Sequence, residues 1–210
     1  RDRFVLINLL FISATSVFGL MWDNWLPLVF SIPVLLWLDC YPLCKRFTWM
    51  CHIFLGSSLA LSPIAAAIAI NPSLLEHLPI WLLSAAVLCW VAGFDIIYAL
   101  QDIECDVRDK LKSIPASLGE PAAMWVSKLL HLISVVALYG VYAIDPRLNQ
   151  MFLFGVIMVA VILTFAFTFL AFSFTFLPFT FSFSVLSFAV TFVSVVGSGW
   201  IALNGRRSES

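Results

Sequence analysis

Five of the twelve acidic residues in this 210-residue chain fall between Asp95 and Asp109. The segment reads Gly93-Phe-Asp95-Ile-Ile-Tyr98-Ala-Leu-Gln101-Asp102-Ile-Glu104-Cys-Asp106-Val-Arg108-Asp109-Lys110. On an uninterrupted α-helix advancing about 100° per residue, with Asp95 at zero, Asp102 falls near −20° and Asp106 near +20°. Asp109 then lies near about −40° and Tyr98 near about −60°, whereas Glu104 points to about 180°. Four carboxylates and one phenol thus share a stripe, and one acid is left on the opposite side. Like charges one turn apart repel, so such a row calls for a cation. Mg²⁺ suits it, since this hard ion usually takes one or two carboxylates together with substrate phosphates. The competing reading is a solvated loop neutralised by Arg108, Lys110 and Lys112. Asp95 weighs against it, because acids set within apolar segments mark functional positions.

A second polar cluster is Tyr41-Pro-Leu-Cys-Lys45-Arg46-Phe-Thr48. Tyr41 and Lys45 are four residues apart and share a helix face, with Pro42 between them as a point of bending. Two adjacent cations beside an acidic metal row are the expected companions of a diphosphate, whose charge they would share with the metal. Lys45 and Arg46 taken alone are explained by anchoring at a membrane surface; their conjunction with the acidic row is what favours substrate contact.

The elements that must position these groups are apolar helices. Hydrophobic residues make up 62% of the chain and charged residues 11%, against roughly 45–50% and 25% in ordinary soluble domains. Crossing a bilayer takes about 20 apolar residues as a helix, and seven runs approach that length: Phe4–Met21, Leu26–Leu43, Trp49–Ile70, Pro79–Leu100, Ala123–Ile144, Met151–Leu170 and Phe179–Leu203. Backbone groups in lipid must pair within their own segment, so helices are the expected form. The chain reads as an all-α transmembrane bundle of about seven helices, one domain over residues 1–210. The stretch 165–184 carries nine Phe, many at every second position. That spacing suggests a strand, but within a bundle it is expected to form a lipid-facing helix.

The cysteines Cys40, Cys44, Cys51, Cys89 and Cys105 show no C-x-x-C pair and are read as small core hydrophobes. His52 and His131 lie within spans and are read as packing residues with satisfied hydrogen bonds. The chain opens on Arg1 without an initiator methionine or a cleavable leader, and is expected to be a fragment.

The two polar motifs resemble those of the UbiA-type membrane prenyltransferases, in particular the 4-hydroxybenzoate polyprenyltransferases of ubiquinone and menaquinone biosynthesis. Asp95-x-x-Tyr98-Ala99-x-x-Asp102-x-x-x-Asp106, followed by Lys112-Ser113, is similar to the family's second aspartate-rich motif. Tyr41-Pro42-x-x-Lys45-Arg46-x-Thr48 is similar to its Tyr-x-x-x-Lys motif. The resemblance covers Leu26 to Leu132 and implies an enzyme that moves a polyprenyl group from its diphosphate to an aromatic acid. It implies Asp102, Asp106 and Lys45 as catalytic groups, with Mg²⁺ held by Asp102, Asp106 and Asp109. Tyr41, Arg46, Asp95, Tyr98 and Lys112 would bind substrate. The implied partners are the polyprenyl diphosphate, the aromatic acceptor and the bilayer, with no nucleic acid. The family's first motif, of the Asn-x-x-x-Asp-x-x-x-Asp type, does not occur here. Its absence is expected if two preceding helices are missing, and the fragment would then lack half its metal ligands. A cation-conducting bundle is the rival from another class, disfavoured because no paired, interrupted half-helices are apparent. Phosphatidyl-alcohol transfer is disfavoured by the lack of an Asp-Gly motif, and an inactive fragment is the third rival.

Charge placement sets an expected orientation. Alternate ends of the seven spans collect Arg1, Arg3, Lys45, Arg46, Arg108, Lys110, Lys112 and Lys128 on one side, and Arg147, Arg206 and Arg207 on the other. The positive-rich side is expected in the cytoplasm, with the acidic motif facing it across a membrane that the resemblance implies is the bacterial inner one. A cysteine introduced at Lys112 should therefore resist membrane-impermeant maleimide in intact cells and react after permeabilisation. Labelling in intact cells would reverse the orientation.

Overall fold

A computed structural model describes residues 2–170, in which every regular element is helical. The helices are α1 (Asp2–Trp22), α2 (Leu26–Phe47), α3 (Cys51–Ile70), α4 (Leu78–Ala99), α5 (Ile103–Arg108), α6 (Ile114–Leu118), α7 (Glu120–Ile144) and α8 (Gln150–Leu170). Short 3₁₀ turns at Pro72–Glu76 and Leu100–Asp102 punctuate them. The six long helices coincide with the first six apolar runs. The seventh run and the part of the Phe-rich stretch beyond residue 170 lie outside the described residues, while 165–170 continue α8 as a helix. Only α3, the continuous α4–α5 segment Leu78–Arg108 and α7 combine full span length with sufficient hydropathy. The apolar stretches of α1, α2 and α8 are shorter, at Leu6–Met21, Leu26–Tyr41 and Gln150–Phe165. In α2 the shortening has a plain cause, since Lys45 and Arg46 occupy its last turn.

The long helices run in alternating directions. Asn24, between α1 and α2, donates from Nδ2 to the carbonyls of Ile68 (2.9 Å) and Ala69 (3.2 Å) at the end of α3. At the other end of the bundle, Lys112 meets the end of α2. The site side therefore gathers the C-termini of α2 and α4, the N-termini of α3 and α7, and all of α5 and α6. The opposite side carries the loops before α4 and after α7. There Arg147 donates from Nε to Asp145 Oδ1 (2.7 Å) and from Nη2 to Oδ2 (2.5 Å), holding the Asp145 carboxyl below the usual carboxylate range.

Helix α4 is the centre of the bundle, flanked by α3 and α7. Lipid removes most of the hydrophobic drive between helices, so contact depends on small residues and interhelical hydrogen bonds. Both occur here. Ser127 and Ser134 of α7 donate to the Gly93 and Ala86 carbonyls of α4, each at 2.8 Å. Ala86, Ile96 and Ala123 are wholly buried in this part of the bundle, as is Ala92, which faces Gly56 of α3. On the other flank Gly56 of α3 meets α4 so closely that an added Cβ would lie 2.4 Å from the Leu88 carbonyl oxygen. Large side chains of α1, α2 and α8 instead face outward, Leu20 at 73% and Phe165 at 71% exposure among them. A rim of exposed Leu, Val and Phe around a small-residue centre is the pattern of a helical bundle whose outer face meets hydrocarbon. The chain is an integral membrane protein.

Gly56→Ala should lower stability by about 1–3 kcal/mol, because a backbone oxygen cannot step aside. Gly140→Ala meets only the flexible end of Leu82 at 3.2 Å and should be neutral or better, as Ala favours helix. Melting temperatures of the two variants in detergent should separate accordingly; equal values would refute the tight α3–α4 approach.

Candidate active site

The last turn of α2 leaves carbonyls without intrahelical partners, and the chain after α5 supplies donors for them. Helix α5 ends in a reversal: Leu111 N donates to the Asp106 carbonyl (2.8 Å) and Lys110 N to that of Val107 (3.3 Å), with Lys110 in the left-handed conformation at φ 55°. This is the Schellman pattern, which usually recruits glycine. The reversal sends residues 111–113 back across the end of α2. Lys112 N donates to the Lys45 carbonyl at 2.7 Å and its Nζ to that of Phe47 at 3.2 Å. Cys51 Sγ, at the start of α3, donates to the Lys112 carbonyl at 3.6 Å. A short strap thereby ties the acidic segment to the α2–α3 junction. Lys112, read from the sequence as a substrate contact, here caps α2.

Lys45 and Asp106, 61 residues apart, meet across this junction. Nζ lies 3.2 Å from Oδ1 and 3.3 Å from Oδ2 of Asp106, whose side chain is 4% exposed. A carboxylate so buried needs a cation, and Lys45 supplies it. Arg46 and Tyr41 sit in the same last turns of α2, Arg46 exposed and Tyr41 half-buried.

The acidic stripe is not one continuous helix. The 3₁₀ turn at Leu100–Asp102 interrupts α4 and α5, and its tighter winding shifts the angular phase. Asp106 turns inward as expected, and Glu104 is exposed as expected. Tyr98, placed on the inward stripe by an unbroken helix, is instead 57% exposed. Asp109 also leaves the stripe, because α5 ends at Arg108; it lies on the surface, accepting from Arg108 Nε at 3.0 Å. Asp102 occupies the N-cap of α5, yet its side chain makes no capping bond. An N-cap aspartate ordinarily accepts from the first turn, so this partly exposed carboxylate is left available one turn from Asp106.

Asp95 has a partner that the sequence did not reveal. His52 Nδ1 lies 2.7 Å from Asp95 Oδ2, and the same ring accepts at Nε2 from Ile114 N at 3.3 Å. His52 is wholly buried, while the Asp95 side chain is 20% exposed. His52 is the packing histidine with satisfied hydrogen bonds that its position in a span suggested, but its partner belongs to the acidic stripe. No spacing rule links residues 52, 95 and 114. His131, by contrast, is only half satisfied: it donates from Nδ1 to the Ser127 carbonyl one turn back (2.8 Å), while its buried Nε2 has no hydrogen-bond partner among the described residues, enclosed by Trp90, Phe94 and Phe167.

The donor set suits Mg²⁺ in kind, since Asp102 and Asp106 offer hard oxygens one turn apart and this ion needs only one or two carboxylates beside phosphate and water. Among the described residues no group of three or more His, Cys, Asp or Glu converges on one point. Any further ligands must come from substrate, water or residues beyond those described.

Residues 2–173 match the UbiA prenyltransferase family. A 4-hydroxybenzoate octaprenyltransferase of Saccharophagus degradans is 35% identical over 102 residues, covering 47% of this chain and 32% of the relative. That of Edwardsiella ictaluri is 32% identical over 131 residues, covering 62% and 44%. A mitochondrial 4-hydroxybenzoate polyprenyltransferase of Arabidopsis thaliana is 33% identical over 87 residues, covering 41% and 21%. The chain thus matches less than half the length of each of these relatives. The apo structure of a UbiA homolog from Aeropyrum pernix K1 superposes with a TM-score of 0.74 at 27% identity, covering 90% of this chain and 68% of that one.

Lys45→Met strips the cation from a buried carboxylate and should destabilise the protein by about 3 kcal/mol, the lower end for broken buried pairs because Lys45 keeps some water contact. Adding Asp106→Asn should restore part of the loss. Chemical denaturation of the two single variants and the double variant measures the coupling. Additive losses would mean that the pair contributes nothing as a pair.

Proposed function

The chain belongs to the UbiA prenyltransferase family, and on that premise we propose that the protein carrying it transfers a polyprenyl group from a polyprenyl diphosphate to an aromatic acid such as 4-hydroxybenzoate, in quinone biosynthesis. The observation that carries this reading is the meeting of Lys45 with Asp106 beside the uncommitted Asp102. A cation and two carboxylates converge at one membrane face, at the mouth of an apolar bundle. The names of the bacterial and plant relatives support the choice of acceptor.

In this reading Asp102 and Asp106 would hold Mg²⁺ against the diphosphate, with Asp109 outside the immediate set. When bound, the metal supplies charge neutralisation for the departing diphosphate. The chain's own groups do the rest. Lys45, now paired with Asp106, would also be within the site to share its positive charge with a phosphate oxygen. Arg46 adds a second positive charge and Tyr41 a hydroxyl donor. As the allylic C–O bond loosens, negative charge grows on the leaving group, so these donors stabilise the transition state more than the ground state. The carbon electrophile is captured by the aromatic ring, whose attacked carbon then loses its proton to the released diphosphate, within an apolar surround that keeps water out. Asp95 is the carboxylate nearest the hydrocarbon and faces the acceptor. The charge asymmetry favours a site on the cytoplasmic side, and the bacterial relatives favour the inner membrane as its setting.

In the full-length protein, Asp102→Asn and Asp106→Asn should each cut prenyl transfer by about 100-fold or more, while Glu104→Gln, on the exposed side, stays within about threefold. Product formation from a polyprenyl diphosphate and 4-hydroxybenzoate, with expression checked by immunoblot, decides it. Equal losses for all three would reduce the acidic segment to a diffuse charge and remove the site.

A further inference from the structure

Two carboxylates at this site are compensated in different ways, and the difference assigns a role to a residue outside both motifs. Asp106 is paired with a full positive charge. Asp95 is paired only with the His52 ring, and the partners of that ring fix where its proton resides. Ile114 N–H donates to Nε2, so Nε2 must carry a lone pair. The one remaining ring proton is then on Nδ1, where it is donated to Asp95 Oδ2 at 2.7 Å. The ring is neutral and wholly buried. Its place in the first turn of α3, at the positive end of that helix, also opposes a charged imidazolium. A neutral donor holds one carboxylate oxygen in place without bringing a positive charge to it. Asp95 Oδ1 makes no hydrogen bond among the described residues.

We propose that His52 is a positioning residue that clamps one oxygen of the Asp95 carboxylate and leaves the other presented to the hydroxyl of the aromatic acceptor. The proton placement is imposed by the strap, since Ile114 follows directly on the residues tied to α2 and α3 through Lys45, Phe47 and Cys51. The strap therefore orients two acids at once: Asp106 by bringing Lys45 to it, and Asp95 through the Ile114 amide and the His52 ring. Histidine meets this need because it accepts on one edge and donates on the other. This assignment deepens the prenyl-transfer reading and rests on it.

The test has one arm independent of activity and one that reads through Asp95. Nitrogen-15 NMR of ring-labelled full-length protein should show His52 neutral, protonated on Nδ1 and bare on Nε2 at neutral pH. A ring protonated on Nε2, or on both nitrogens, overturns the proposal. In prenyl-transfer assays His52→Leu should lose about 30-fold or more in kcat, within what misplacement of a reacting group costs. His52→Asn, whose amide nitrogen overlies Nδ1 and always donates, should recover to within about fivefold of wild type. On an Asp95→Asn background His52→Leu should cost less than about threefold, because residues acting as one unit are not additive. Losses that multiply in the double variant, or Asn no better than Leu, would make His52 a structural residue and overturn the proposal. A wild type that transfers no prenyl group would overturn the functional reading, a result distinct from the tautomer, which decides the clamp alone.

Discussion

The contact between Lys45 and Asp106 is the constraint on which the rest of the site depends. A carboxylate 4% exposed is costly to bury without a partner, so α5 sits against the last turn of α2. That position requires the chain to reverse sharply after Arg108, which it does by placing Lys110 in a conformation usually left to glycine. The reversal in turn delivers the Lys112 amide and ammonium to the open carbonyls of α2 and the Ile114 amide to His52. One electrostatic requirement thus fixes a loop, and the loop completes a helix end and a histidine tautomer.

Much of this arrangement was legible in the residues. Long apolar runs announce six of the helices, because in hydrocarbon length and hydropathy leave the backbone no other satisfied form. The pairing of the Tyr41–Arg46 cluster with the acidic segment was also legible, since a basic and an acidic group at one membrane face lower each other's cost. Asp106 inward and Glu104 outward follow from helical spacing alone, because both lie on the same side of the break at Leu100–Asp102 as each other. Tyr98 fails for a different reason: it lies with Asp95 on α4, before the break, and an offset of about 60° from Asp95 is enough to carry its ring to the exposed side. Asp109 fails because a single residue past a helix end no longer obeys the helix.

The less legible features are tertiary hydrogen bonds between residues far apart in the chain. The family resemblance implies Lys112 as a substrate contact, yet its ammonium is taken up by a carbonyl at a helix end. His52 carries no spacing signature, since its partners Asp95 and Ile114 lie 43 and 62 residues away. Asp102 is the reverse case. Its N-cap position predicts a local role that its side chain does not take up.

The serine hydroxyls that cross from α7 to the Gly93 and Ala86 carbonyls of α4 have a mechanical consequence. Two such fastenings, two helical turns apart along α7, resist both sliding and rolling of one helix on the other, since either motion strands a hydroxyl in hydrocarbon. The pair therefore behaves as a stiff spine from which Asp95 projects at a fixed depth. Any widening of the bundle then falls to the helices not fastened to that spine, α1 and α8, since α2 is held at its last turn by Lys45 and the strap.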